Sequence, residues 1–201
     1  MKPTHHTETG FQNYPYVETA APKGILFYLR RFWLSVNTPD VPSGHVLPED
    51  EALSLLNRYK SDRLTWLGHA SFLIKVDGIT ILTDPFLTEF ASPVSWAGPR
   101  RFVGPGIPLD KLPPIDVIIV SHNHYDHLDD ETIRQLENKD RIHVVVPLGL
   151  KLLFTERGYE NVTELDWHEV IKIKNLTLVS VPAVHDSARS IDDHNETLWA
   201  S

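Results

Sequence analysis

Four side chains with metal-binding chemistry lie within six positions of the sequence: His122, His124, Asp126 and His127. They follow the apolar stretch 116–120, which predicts a buried strand. Neutral imidazole nitrogens and carboxylate oxygens are ligands of zinc and similar divalent ions. His122 and His124 are two residues apart, so in an extended segment they point the same way and can hold one ion. The alternative is a polar loop with ordinary hydrogen bonds, but so dense a cluster favours a metal site, with Asp126 and His127 offering a second one nearby.

A further ligand is expected from another strand end, because a rigid scaffold brings ligands together from separate loops. His185 fits, since only a short bend at 182–184 separates it from the apolar strand predicted at 176–181. We therefore predict that His122, His124 and His185 converge on one point. His143 lies within a predicted strand, and His168 precedes one. Others do not directly follow a predicted strand: His5, His6, His45 and His194.

The composition is that of a domain with a sizeable core, since 41% of the 201 residues are hydrophobic and 23% are charged. A formal net charge of −8 argues against general nucleic-acid binding, which needs a basic surface. The absence of cysteine excludes disulfides and thiolate ligands. The first residues lack the apolar core of a signal peptide, and no apolar run approaches the roughly 20 residues that span a bilayer. The sequence therefore predicts a cytoplasmic protein, either soluble or peripheral to a membrane.

The chain divides into a loop-rich, proline-rich extension at 1–61 and a strand-rich domain at 62–201. The extension contains a predicted helix at 24–36, whose apolar residues fall on one face: Ile25, Leu29, Phe32, Trp33 and Val36. Arg30 and Arg31 are its only charges. Such a face can dock on a membrane surface or pack on its own domain, and both interpretations stay open. The membrane interpretation predicts that Ile25, Leu29 and Phe32 are exposed.

Strands and then alternating strands and helices follow, which predicts an α/β (α+β) fold. Strands are predicted at 64–67, 71–76, 79–82, 116–120, 142–146, 162–165, 170–173 and 176–181. Helices are predicted at 49–60, 131–138 and 148–157. Asp129 is the expected cap of the second of these helices. Asp77 and Gly78 are a strong signal for a two-residue hairpin between the second and third strands.

The run at 122–127, H-N-H-Y-D-H, resembles the signature of the metallo-β-lactamase fold, an αββα sandwich with a dinuclear site at one rim of its sheets. Flanking segments are similar to the N-acyl-phosphatidylethanolamine-hydrolysing phospholipase D branch of that superfamily. These segments are 65–70, 81–85, 91–93, 98–102, 112–116, 146–150 and 164–167. The resemblance covers about residues 62–201 and implies the N-terminal part of this sandwich.

The resemblance also implies an activity, the zinc-dependent hydrolysis of N-acyl-phosphatidylethanolamine to N-acylethanolamine and phosphatidic acid. In the family two zinc ions share the attacking hydroxide and neutralise charge on the phosphoryl oxygens. It implies five metal ligands, three for the first ion and two for the second: His122, His124 and His185, then Asp126 and His127.

The same resemblance gives Asp126 and Asp84 catalytic roles, with Asp84 close to the ions. His69 is implied to lie beside the ions and to orient their ligands, together with Asp84. Tyr125 is expected to face the phosphate. The alternative for Asp84 is a turn-forming residue before Pro85, since Asp-Pro turns are common.

The chain also departs from the family. It ends before the bridging aspartate and the further histidine of relatives, and Asp186 stands where relatives carry an aromatic residue. We therefore expect a portion of a longer enzyme that, alone, is inactive and holds at most one zinc ion tightly. The expected partners are a phospholipid substrate, a membrane surface reached through 24–36 and a second copy of the chain, but not nucleic acid. Two alternatives stay open: a metal-dependent hydrolase of a soluble phosphodiester or lactone, and a truncated metal-binding protein without catalysis.

Overall fold

The computed structural model describes residues 3–17, 24–37 and 40–201. Its helices are α1 (Ile25–Val36), α2 (Glu49–Arg58), α3 (Asp130–Gln135) and α4 (Lys151–Thr155). Its strands are β1 (Arg63–Gly68), β2 (Ser71–Val76), β3 (Ile79–Thr83), β4 (Val117–Ile119), β5 (His143–Pro147), β6 (Asn161–Leu165), β7 (Val170–Ile173) and β8 (Leu176–Val179). In the described ranges, β1 to β6 form one sheet in sequential order, and β7 and β8 form a separate hairpin.

The first three strands are antiparallel, and β3 to β6 run parallel. Asp77 and Gly78 both have positive φ, 51° and 78°, as the tight turn between β2 and β3 requires. This confirms the hairpin predicted from the sequence. The parallel strands place their carboxyl ends at one edge of the sheet, where functional loops collect in open α/β sheets. Asp84 follows β3 at this edge, and the histidine-rich run at 122–127 follows β4.

The strands β3, β4 and β5 are largely buried on both faces of the sheet. One face, with Leu82, Ile118 and Val144, packs against residues from the helices, including Leu56 of α2, Ile133 of α3 and Phe154 of α4. The other face contributes Ile81, Val117 and Val145 and packs against the β7–β8 hairpin. Apolar residues on both faces are typical of parallel strands, which explains the unbroken apolar run of β4. The observed mixed α/β layers agree with the predicted fold class.

Three predicted helices are shorter in the structure. The helix predicted at 49–60 ends at Arg58. The helix predicted at 148–157 begins at Lys151, because Gly149 has φ of 92° and cannot form part of a helical turn. The helix predicted at 131–138 ends at Gln135. The predicted cap is confirmed, since the Asp129 carboxylate accepts the backbone N–H groups of Glu131 and Thr132.

Helix α1 exposes its apolar face. The side chains of Ile25, Leu29 and Phe32 are 70%, 56% and 66% exposed. The exposure expected under the membrane interpretation is therefore confirmed. Among the described residues, no helix has the length and apolar character needed to cross a bilayer.

Candidate metal centre

Three histidine ring nitrogens meet beyond the ends of β4 and β8. His122 and His124 follow β4, and His185 follows β8 after an irregular bend. The Nε2 atom of His122 lies 2.9 Å from Nδ1 of His124 and 2.9 Å from Nε2 of His185. The predicted convergence of these three residues is confirmed. His185 lies more than sixty positions after His122 and His124 in the sequence.

Burial disfavours the charged forms of His122 and His124. Removal from water lowers the pKa of His122 to about 2, and the positive charge that His127, His185 and His124 would carry acts in the same direction. Burial also lowers the pKa of His124. A neutral imidazole presents a lone pair, and three lone pairs directed at one another are stabilised by a cation between them. The donor set therefore fits a divalent ion.

Ser121 and Asp84 orient the rings of His122 and His127. The Asp84 carboxylate accepts the backbone N–H of Ser121 at 2.7 Å and its hydroxyl at 2.9 Å. It also lies 2.9 Å from Nδ1 of His127, and the Ser121 hydroxyl lies 2.9 Å from Nδ1 of His122. These bonds favour the tautomers that carry the proton on Nδ1, leaving each Nε2 lone pair available to a metal. The role of Ser121 was not predicted.

Asp84 combines the two roles that the sequence left open. It has a turn conformation before Pro85, with φ of 40°. Its side chain is buried, and it makes an ion pair with His127 if that ring is protonated. Burial alone would lower the pKa of His127, but the hydrogen bond and charge of Asp84 raise it above its ordinary value. Asp84 thus supports the ring of a candidate ligand.

A second donor set consists of His69, Asp126 and His127. The Nε2 atom of His69 lies 3.3 Å from Oδ2 of Asp126. The family resemblance implied a supporting role for His69, whereas in the structure its ring is one of the donor groups of this set. An irregularity in the β1–β2 pairing between Trp66 and Gly68, followed by φ of 49° at His69, directs this side chain out of the sheet. No sequence pattern specified that change of direction.

The two donor sets adjoin. The ring centroids of His122 and His127, one from each set, are 4.1 Å apart. The sets differ in burial, because the side chains of His69 and Asp126 are 45% and 43% exposed while His122 is buried. The arrangement can hold two ions side by side, with the buried set presenting three nitrogens and the exposed set presenting a carboxylate.

Tyr125 has a structural partner that the sequence did not indicate. Its hydroxyl donates to the backbone carbonyl of Arg189 at 3.2 Å. The Arg189 guanidinium lies 4.0 Å from the centre of the Tyr125 ring and donates to the carbonyls of Asn123 and Leu128. This half-buried arginine holds the metal-binding loop by its backbone, a role that the sequence did not indicate.

A third group lies apart from these sets. His5 and His6 place their Nε2 atoms 2.6 and 2.8 Å from the two different carboxylate oxygens of Asp166. Hydrogen bonds account for this geometry without a metal, because each ring has its own oxygen. Neither histidine follows a predicted strand, so the sequence did not indicate a site here. Asp186, singled out as a departure from the family, lies 4.0 Å from His185.

Comparison with known proteins supports a common origin. The family description "Beta-lactamase superfamily domain" matches residues 80–201. N-acyl-phosphatidylethanolamine-hydrolyzing phospholipase D 1 of Caenorhabditis elegans is 40% identical over 146 residues, which are 68% of this chain and 41% of that protein. The mitochondrial enzyme of the same name from Saccharomyces cerevisiae is 38% identical over 68% of this chain and 30% of its own length.

A more distant relative carries a broader name. The UPF0173 metal-dependent hydrolase of Methanopyrus kandleri is 32% identical over 62% of this chain and 48% of its own length. The chain therefore spans less than half the length of these relatives.

Proposed function

The chain belongs to the metallo-β-lactamase superfamily, and on that premise we propose that it carries the metal centre of a metal-dependent hydrolase. The observation that supports this most is the convergence of His122, His124 and His185, with a second donor set beside them. Relatives named as hydrolases agree with the proposal. Two bound ions in such a centre lower the pKa of a water and neutralise charge that develops on the substrate.

The residues of this chain have definite tasks in that proposal. His122, His124 and His185 hold the first ion, and Asp126 and His127 hold the second together with His69. Asp84 retains the Nδ1 proton of His127, and Ser121 retains that of His122, so the ligand lone pairs keep their direction. The edge of the sheet fixes these groups before substrate arrives, which is the preorganisation that hydrolysis requires.

We further propose that the ions are zinc and that the substrate is N-acyl-phosphatidylethanolamine, cleaved as by a phospholipase D. Two relatives carry that name. An open cleft of about 860 Å³ lies beside the second donor set and includes His69 and Asp126 in its wall. Its other lining is largely apolar and includes Leu47, Leu55, Leu56, Leu64, Phe102 and Ile107. A cleft of this kind suits an acyl chain whose phosphodiester lies at the ions.

The substrate proposal predicts a specific product pair. The intact protein, purified and loaded with zinc, is expected to convert N-acyl-phosphatidylethanolamine in mixed micelles to phosphatidic acid and N-acylethanolamine, both measured by mass spectrometry. Bis(p-nitrophenyl) phosphate and a soluble lactone serve as comparisons at equal concentration. Cleavage of a soluble compound alone would support the alternative hydrolase and contradict the lipid substrate. Metal-dependent turnover of none of them would contradict the hydrolase proposal itself.

We also propose that α1 docks on the membrane that holds the substrate. Burial of one large apolar side chain contributes about 1.5–3 kcal/mol, roughly a 10- to 100-fold change in partitioning. Phe32→Asp and Trp33→Asp should each reduce flotation with phosphatidylethanolamine vesicles by about this factor. Ile191→Asp is the matched control, because Ile191 is 95% exposed outside α1. Equal flotation of all three variants and the unchanged protein would refute the membrane role.

A further inference from the structure

The N-terminal segment 3–17 contacts the metal centre through one buried side chain, Asn13. Its Nδ2 atom donates to the backbone carbonyl of His185 at 2.9 Å, and its Oδ1 atom accepts the backbone N–H of His185 at 3.0 Å. The amide thus pairs with both backbone groups of one residue, as an adjacent antiparallel strand would. The two partners also fix the amide orientation, because a flipped amide would direct donor at donor and acceptor at acceptor.

The core holds this amide in place. The indole Nε1 of Trp199 donates to Oδ1 of Asn13 at 3.2 Å and to the carbonyl of Ala183 at 2.9 Å. Trp199 is almost fully buried, and its own carbonyl accepts from Nε1 of Trp167 at 2.6 Å. Asn13 is itself only 4% exposed. A buried amide with its oxygen and nitrogen both bonded forms a rigid support.

His185 depends on such a support more than the other two candidate ligands do. It lies six residues beyond the end of β8, outside regular secondary structure. Sites on irregular segments are less precise than sites on strands unless other groups fix them. His122, by contrast, follows β4 closely and is held through Ser121 and Asp84.

The segment that carries Asn13 is anchored at two places that precede this residue. His5 stacks on Trp167 with ring centroids 4.1 Å apart, and hydrogen bonds join His5 and His6 to Asp166. Burial alone would raise the pKa of Asp166, but these hydrogen bonds hold it below its ordinary value. Further along, a Cβ atom at Gly10 would lie 2.1 Å from the carbonyl oxygen of Asn195, so only glycine permits this approach.

We propose that Asn13 is a positioning residue that sets the His185 ring against His122, so that segment 3–17 completes the first metal site. The inference rests on the proposed metal-dependent function. Asn13 contacts neither metal nor substrate and acts through the backbone of His185. Loss of an outer partner of a metal ligand typically weakens metal binding by about 10- to 100-fold.

The test compares Asn13→Ala with Gln12→Ala in the 201-residue chain. Gln12 is a matched control, because its side chain bonds to Thr4 within the same segment and not to His185. Zn²⁺ affinity is measured by competition with a chromophoric chelator, and the geometry of the site by the visible absorption of bound Co²⁺. Asn13→Ala should weaken the tight site by about 10- to 100-fold and change the Co²⁺ spectrum. Gln12→Ala should do neither.

A second variant covers the case in which Asn13→Ala does not fold. Asn13→Asp keeps the size and the acceptor oxygen but lacks the donor to the His185 carbonyl, so we expect a smaller loss of affinity and an altered spectrum. Circular dichroism of the metal-free proteins establishes that each variant is folded. Unchanged affinity and spectrum in a folded Asn13 variant would overturn the inference alone. An unchanged chain that binds no Zn²⁺ would overturn the proposed function and, with it, this inference.

Discussion

In the intact protein, the variant His122→Ala is expected to lose the tight metal ion and nearly all hydrolytic activity. The His122 Nε2 atom lies between the other two donors, at 2.9 Å from each. Removal of this ring leaves two nitrogen ligands. Loss of a direct ligand should weaken metal binding by more than the roughly 10- to 100-fold that loss of an outer partner produces. Metal analysis after dialysis, together with turnover of the substrate identified above, measures both effects.

The unchanged 201-residue chain is expected to retain one ion after the same dialysis. Its second donor set is nearly half exposed at His69 and Asp126, so an ion there exchanges more readily with water. His168→Asn is the control for His122→Ala, because it also replaces a histidine. His168 is exposed in a turn with φ of 70°, a conformation that asparagine tolerates. A His122→Ala protein that keeps its ion and its turnover would contradict the assignment. Two ions retained by the unchanged chain would contradict the expected difference in metal affinity between the two donor sets.

The strand-end histidines could be predicted because their setting is local. A polar run after an apolar parallel strand must lie at the carboxyl edge of the sheet, which places His122 and His124 there. His185 could be added because it repeats this setting after β8. Asp84, which the family resemblance implied, follows β3 at the same edge. In each case a buried strand, visible as an apolar run, determined where the polar residue lies.

The supporting residues could not be predicted because their contacts depend on irregular backbone. Asn13 and His185 are 172 positions apart and meet through a side chain and a backbone, a contact that leaves no periodicity in the sequence. Arg189 bonds to carbonyls of the metal-binding loop, and any residue type can supply a carbonyl. His69 is directed to the second donor set by a strand irregularity and a positive φ. Side-chain spacing alone carries no information on these features.

Asp84→Asn is expected to weaken the second metal site selectively. The carboxylate accepts from Ser121 at both oxygens and lies 2.9 Å from Nδ1 of His127. If the asparagine oxygen keeps the backbone N–H of Ser121, its NH₂ group faces the Ser121 hydroxyl and Nδ1 of His127. Nδ1 must then accept, so the proton of a neutral His127 moves to Nε2 and removes the lone pair that a metal would bind. We expect about 10- to 100-fold weaker binding of the second ion.

The same substitution should change His127 in the absence of metal. Asp84 raises the pKa of His127 by its hydrogen bond and charge, against the effect of burial. Without that charge the pKa should fall, and nitrogen NMR of the metal-free protein should report the Nε2–H tautomer. Asp116→Asn is the matched control, because Asp116 precedes the other end of β4 and bonds to Thr80 and Lys174. An Asp84→Asn protein with an unchanged tautomer and unchanged binding of both ions would show that the metal centre does not depend on this carboxylate. The expected result, a weakened second site beside an intact first one, would mean that the turn after β3 determines the state of a ring that follows β4.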